Sequence, residues 1–332
     1  MKIAIVKLSA LGDIVHAMVA LQFIKQHRPD VLIDWVVEER FAELLRFNPD
    51  INQVLTVNLK GLKNHKLKFF NEISKVNRFA ENRYDLVIDA QGLLKSAITA
   101  FLLGKRRAGF NKNSIRESLA SFFYQIQVDS PYASNSIDRN AKVIAEPLGI
   151  KISPEQIQAK HAFLFFNQPA IALADYIHAE KRNILYVIGS TWPSRNYPKE
   201  QFLEVINGLA QHALVIWGND AERETATWLA ERSEQVTVLP KLDLNSVKAL
   251  IAAMDLVIGN DTGPTHMAWG LNRPSITLFG PTPVSRVYQT TINKVLKSPS
   301  IVNPYKLNKQ DFSIGEIKPI DIITLATELL AN

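Results

Sequence analysis

The 332-residue chain contains no cysteine. Disulfides, thiolate metal ligands and thiol nucleophiles are therefore excluded, and the composition is consistent with a reducing compartment. Long apolar runs are missing as well. No segment approaches the roughly eighteen consecutive apolar residues of a membrane-spanning helix. The opening Met1-Lys2-Ile3-Ala4-Ile5-Val6-Lys7 has the pattern of a short strand, without the extended apolar core and small-residue cleavage site of a secretory signal. A cytoplasmic protein is expected. Glycine is sparse where a dinucleotide fingerprint would require it. Gly12 stands alone after the first strand, where G-x-G-x-x-G needs three, so an NAD-dependent oxidoreductase is disfavoured. There is no Asp-x-Asp pair of the kind that holds a divalent ion on a sugar nucleotide, and no paired-histidine spacing. No bound metal is expected. Internal repeats and low-complexity segments are also absent.

What remains is a soluble globular composition, 47% hydrophobic and 21% charged, in a chain long enough for two domains. The charge is uneven. Between Lys60 and Arg116, thirteen Lys and Arg stand against four acids, a net of +9 in a chain of +6 overall. Such one-sided charge points to an anionic partner such as a phospholipid surface or a phosphorylated substrate, the plain alternative being a solvated basic face. No nucleic-acid-binding motif accompanies it, and nucleic acid is set aside.

Along the chain, strands alternate with helices, the rhythm of a parallel α/β sheet. Strands are expected at 3–6, 33–37, 54–57, 85–89 and 108–110, with helices over 14–27, 41–47, 69–82 and 95–103 and one opening at Ser114 that contains Phe122, Phe123 and Tyr124. Residues 151–182, with Pro154 and Pro169, carry no βα rhythm, and the domain boundary is placed there. A second α/β series follows, with strands at 184–188, 214–217, 237–239, 256–259 and 275–279. Its strands end in small or polar residues: Gly189-Ser190-Thr191, Gly218-Asn219-Asp220, Pro240-Lys241 and Gly259-Asn260-Asp261. That repetition predicts one pocket along the carboxyl edge of the sheet.

Two stretches concentrate chemistry. Asn260-Asp261-Thr262-Gly263-Pro264 joins a strand to a helix start, where free N–H groups and the helix dipole favour an anion. Ser190, Thr191 and Arg195 add hydroxyls and a cation, and Glu222 and Asp261 are acceptors for sugar hydroxyls or an adenine amino group. Each of these residues also has a plain reading as a cap or surface group. In the first half, Asp13 follows strand one. It is either a helix N-cap or a general base at the carboxyl end of the strand. A carboxylate of ordinary pKa near 4 is a weak base, able to accept a proton late in the transfer. His16, one turn further on, is the competing base.

Several segments together resemble the ADP-heptose:lipopolysaccharide heptosyltransferases. They are Lys7-Leu8-Ser9-Ala10-Leu11-Gly12-Asp13-Ile14-Val15-His16, Trp35-Val36-Val37-Glu38-Glu39, Asp89-Ala90-Gln91-Gly92-Leu93-Leu94-Lys95-Ser96 and Arg116 to Tyr124, with Asp261-Thr262-Gly263-Pro264-Thr265-His266 and Phe279-Gly280-Pro281-Thr282. The type I branch is the nearer, and type II, acting on an already heptosylated core, is the alternative. The resemblance implies a GT-B fold, two Rossmann-like α/β domains whose parallel sheets face across a cleft. On that pattern residues 1–165 bind the acceptor, 175–315 bind the ADP-sugar, and a helix in 318–332 packs back towards the N-terminal domain. It implies inverting, metal-independent transfer from ADP-L-glycero-β-D-manno-heptose to the Kdo of Kdo-lipid A, with ADP released and no cofactor. The family's general base falls on Asp13. Its donor positions fall on Ser190, Thr191, Arg195, Glu222, Asp261, Thr262, Gly263 and His266, and its acceptor positions on Ser9, Gly12, His16, Lys60, Lys63, Gln91 and Arg116. A peripheral place on the cytoplasmic face of the inner membrane follows from a lipid-anchored acceptor. One departure stands out. Arg195 lies where the family usually has Lys, replacing a point charge by a planar fork. A non-catalytic module binding a nucleotide or anionic lipid is the alternative of another class.

Overall fold

A computed structural model of the protein describes residues 1–59 and 66–331. The chain divides into two compact units between Phe165 and Phe166. In the first, β1 (Lys2–Val6), β2 (Leu32–Glu38), β3 (Gln53–Val57), β4 (Leu86–Asp89), β5 (Arg107–Phe110) and β6 (Ile126–Val128) form one parallel sheet in the order β3-β2-β1-β4-β5-β6. Helices α1 (Leu11–Met18), α2 (Ala20–His27), α3 (Ala42–Leu45), α4 (Lys66–Ala80), α5 (Leu94–Leu103), α6 (Ser136–Ala145) and α7 (Pro154–Gln158) follow or connect the strands. The second unit contains β7 (Asn183–Val187), α8 (Lys199–Leu209), β8 (His212–Ile216), α9 (Asp220–Ala230), β9 (Val236–Val238), α10 (Leu244–Ala252), β10 (Leu256–Asn260), α11 (Gly263–Gly270), β11 (Ser275–Phe279), β12 (Asn293–Lys297) and α12 (Pro319–Ala331). Its sheet, also parallel, runs β12-β11-β10-β7-β8-β9.

The central strands are apolar without alternation because helices cover both faces of a parallel sheet. β4, β7, β10 and β11 are buried at every residue, and β1 at all but Lys2. Both units have the same strand order. In each, the chain winds outward from a founding strand (β1 or β7), then returns to lay a fourth strand (β4 or β10) on its other side. At that reversal the connections leave in opposite directions, opening a crevice at the strands' carboxyl ends where α/β proteins bind ligands.

Some expectations need correction. The helix expected over 14–27 is two pieces, α1 and α2, with Val19 between them still in right-handed geometry. No helix opens at Ser114. Its hydroxyl, fully buried, bonds to Asn111 and accepts from the Ser130 amide, and its carbonyl accepts from Arg139. Those bonds fix a loop, and only Ser118–Phe123 coils, as a 3-10 turn. The closing helix α12 buries Ile322, Ala326 and Leu329 in the core of the second unit, with Phe202, Val205 and Ile206 of α8. β6, α6, α7 and β12 are additional to the elements expected from sequence.

Candidate active site

In the first unit the crevice lies between the ends of β1 and β4, and one hydrogen-bond chain shapes it. Asp89, the last residue of β4, is fully buried. It accepts from the Tyr124 hydroxyl at 2.6 Å, the Ser96 hydroxyl at 2.8 Å and the amides of Gln91 and Gly92 at 2.8 and 3.1 Å. Burial pushes its pKa up, and these donors oppose that shift. The loop so held turns through Gly92 at φ 71°, where an added Cβ would lie 2.7 Å from Ile115 Cγ2. Gln91 then reaches across, its side-chain oxygen accepting from the Leu8 and Ser9 amides at 3.1 and 3.0 Å. A predicted acceptor contact thus braces the β1–α1 loop.

That loop delivers Asp13, which is not the N-cap of α1. Ala10 is, and Asp13 is the third helical residue, half-buried, accepting from the Ala10 amide at 3.3 Å. Gly12, beside it, is also half-buried. His16 is buried at 3% exposure within the packed face of α1, whereas Asp13 is nearer the surface. Arg116 is exposed, and among the described residues no hydrogen bond joins it to the Ser9–Gln91 group. Lys60 and Lys63 lie outside the described residues. The sequence did not single out Lys7, which is 6% exposed at the end of β1. Its ammonium donates to the Ala90 carbonyl at 2.8 Å and to Asn140 on α6 at 2.9 Å. Burial lowers its pKa, while the charges of Asp13 and Asp89 draw it back up.

In the second unit the ends of β7, β10 and β11 converge. Asp261, 2% exposed, accepts from the Arg195 guanidinium at 2.8 Å, faces His266 Nε2 at 2.9 Å, and accepts from the Thr282 hydroxyl at 2.7 Å. Burial alone would raise its pKa. Arg195 first, then His266 and Arg286, overcome that and hold the carboxyl well below the usual range. Arg195 also lies over the Trp192 ring, 5.4 Å from its centre, and its Nε is buried without a hydrogen-bond partner. Asn260 ties the loops together, accepting from the Tyr197 amide and donating to the Ile188 carbonyl. Thr262 is the N-cap of α11, but its side chain makes no capping bond, and Gly263 is the first helical residue. Thr265 instead donates to the Asn260 carbonyl.

Glu222 joins the same edge from the first turn of α9. Its carboxylate accepts from the Gly218 amide and the Asn219 side chain, both at 2.7 Å. It lies against Gly189, where a Cβ would come within 2.1 Å of the carboxylate. Ser190, whose hydroxyl donates to the Trp192 carbonyl, and exposed Thr191 follow directly. Arg195 and His266 are thus both bonded to Asp261, with Ser190 and Thr191 on the loop after β7 and Glu222 on α9. Thr282 was missed as a site residue; its signal was the Gly280-Pro281 punctuation after β11, a strand end beside that of β10.

Two Rossmann-like units, each with polar side chains at its sheet's point of reversal, are the architecture of GT-B glycosyltransferases. Residues 74–310 match glycosyltransferase family 9 (heptosyltransferase), and the chain belongs to that family. It is 35% identical to lipopolysaccharide heptosyltransferase 1 of Campylobacter coli, over 100% of each chain. The structure is similar to that of E. coli heptosyltransferase WaaC with ADP-2-deoxy-2-fluoro heptose, with a TM-score of 0.81 at 26% identity over 99% of each chain. The fold is shared with E. coli ADP-heptose lps heptosyltransferase II, at TM-score 0.75 and 19% identity over 100% of this chain and 99% of that one.

Proposed function

We propose that the protein transfers L-glycero-D-manno-heptose from ADP-heptose to the Kdo of Kdo-lipid A, the first heptose of the lipopolysaccharide inner core. The observation that carries this is the full-length similarity to a type 1 lipopolysaccharide heptosyltransferase. It is supported by the likeness to WaaC with an ADP-heptose analogue. The type II reaction is the weaker reading, because the type II structure is the more distant of the two E. coli neighbours.

The reaction proceeds as a single displacement with inversion. Asp13 takes the proton of the attacking Kdo hydroxyl as the new bond forms at the anomeric carbon, and ADP departs. Lys7, held by Ala90 and Asn140, interacts electrostatically with Asp13. The leaving diphosphate gathers negative charge, which Arg195, the hydroxyls of Ser190, Thr191 and Thr262 and the amides around Gly263 offset without a metal. Asp261 orients Arg195, and because the guanidinium offsets its charge it repels the diphosphate little. Glu222 accepts from the nucleoside or sugar hydroxyls. The acceptor is lipid-anchored, so the enzyme works peripherally on the cytoplasmic face of the inner membrane. Among the described residues no helix is long and apolar enough to cross a membrane. The test is mass spectrometry of Kdo₂-lipid A after incubation with ADP-heptose. One added heptose supports the proposal. Transfer only to an acceptor that already carries heptose would assign the chain to type II, and nucleotide binding without transfer would make it a binding module.

A further inference from the structure

Nine large apolar side chains of the first unit are exposed among the described residues, and six of them fall between Phe70 and Phe122. Leu94, Ile98 and Phe101 are spaced i, i+4, i+7, and so share the outer face of α5, whose opposite face buries Ala97, Ala100 and Leu103. The 3-10 turn Ser118–Phe123 packs alongside. The Leu94 amide donates to Glu117 at 2.7 Å, and Phe101 meets Phe123 edge-on with ring centres 5.9 Å apart. That turn presents Leu119 at 60% and Phe122 at 80% exposure. On the other flank, Ile98 borders an apolar cavity of about 200 Å³ between α4 and α5, lined by Leu59, Ile73, Val76 and Leu102. Folding gains nothing from leaving Leu119 and Phe122 in water, and a contiguous exposed apolar face marks an interaction surface.

The surrounding charge says what covers it. Exposed Lys95 begins α5, Lys105 and Arg106 follow its end, and Lys112 and Arg116 precede the 3-10 turn. An apolar centre flanked along the chain by five exposed cations against one exposed acid, Glu117, matches an anionic bilayer surface, with side chains entering the headgroup–acyl boundary and cations meeting phosphates. The face is also continuous with the candidate acceptor site, since the Ala90-Gln91-Gly92 loop runs directly into α5. We infer that the outer face of α5 and the 3-10 turn Ser118–Phe123 form a membrane-docking surface, inserting Leu119 and Phe122 into an anionic phospholipid bilayer. The inference rests on the reading that the acceptor is lipid-anchored, and it adds apolar insertion to electrostatic attraction.

The test is co-sedimentation of the full chain with vesicles of phosphatidylethanolamine and phosphatidylglycerol, compared with phosphatidylcholine alone. The wild type should bind the anionic vesicles, less tightly at high salt but still measurably, because apolar insertion is not screened. The Leu119→Ser/Phe122→Ser variant should lose about tenfold or more in vesicle affinity. Its melting temperature and its transfer to a deacylated, water-soluble acceptor should match the wild type. Equal vesicle binding by the variant overturns the surface, as does absence of binding by the wild type. A change in self-association by light scattering with vesicle binding unchanged would also overturn it, making the face an interface between copies. Failure of the wild type on the soluble acceptor bears on the functional reading alone, and the vesicle arm still decides the surface.

Discussion

Replacing Arg195 by Ala removes one partner from a buried ion pair of the second unit. Arg195 and Asp261 are 2.8 Å apart with side chains 13% and 2% exposed, so water cannot replace the lost guanidinium. His266 and Thr282 remain on Asp261, but the largest opposing charge is gone. Breaking a buried pair from one side costs about 3–5 kcal/mol, because it strands the other charge. The double variant Arg195→Ala/Asp261→Asn strands none, and should recover about 1–3 kcal/mol of that loss. Arg232–Glu231, 43% and 63% exposed, is the control, and Arg232→Ala should cost under about 1 kcal/mol. Urea unfolding followed by tryptophan fluorescence suits the measurement, since Trp192, Trp217, Trp228 and Trp269 are in the second unit and Trp35 alone is in the first. Arg195→Ala no more harmful than Arg232→Ala, or a double variant less stable than Arg195→Ala, would refute the reasoning.

Gly189→Ala would place a Cβ 2.1 Å from Glu222 Cδ and displace the carboxylate from Gly218 and Asn219. A stability loss of about 1–2 kcal/mol and weaker ADP-heptose binding by calorimetry are expected; unchanged binding would remove Glu222 from the donor site. Lys160 is 7% exposed, and burial brings its pKa down to about 7. The unfolded chain therefore holds this proton up to about pH 10 while the folded chain releases it near 7, so its contribution to stability rises with pH. Between pH 7 and 9 the gain is about 2 kcal/mol, and it should appear as a rise with pH in the stability of the wild type relative to Lys160→Met in parallel urea melts. A pH-independent difference would contradict it.

Much of this was legible because parallel strands buried on both faces leave uninterrupted apolar runs. Ser275–Phe279 is found with the bounds its sequence gives. The polar strand ends were equally visible, and placing them at the two reversals follows once the strand order is known. Illegible elements had weak or mixed signals. β12 interleaves Lys294 and Lys297 with its apolar residues, and β6 is three residues long. α6 did carry a pattern, Ile137, Ala141 and Ile144 behind an Asn135 cap, that was overlooked. Site roles were harder to read than elements. Gln91 has the look of a ligand contact but holds the Leu8 and Ser9 amides, and nothing singles out Lys7 until Asn140, 133 residues away, is set beside it. Long-range pairing of that kind leaves no local trace in a sequence.

The most direct test of the account is Asp13→Ala, with heptose transfer from ADP-heptose to Kdo₂-lipid A and ADP binding measured on the same preparation. Loss of the proposed general base should lower kcat by about 10²–10⁴-fold. ADP affinity should stay within about twofold, because the proposed donor groups Arg195, Asp261, His266 and Glu222 belong to the other unit. Turnover near that of the wild type would contradict the account at its centre.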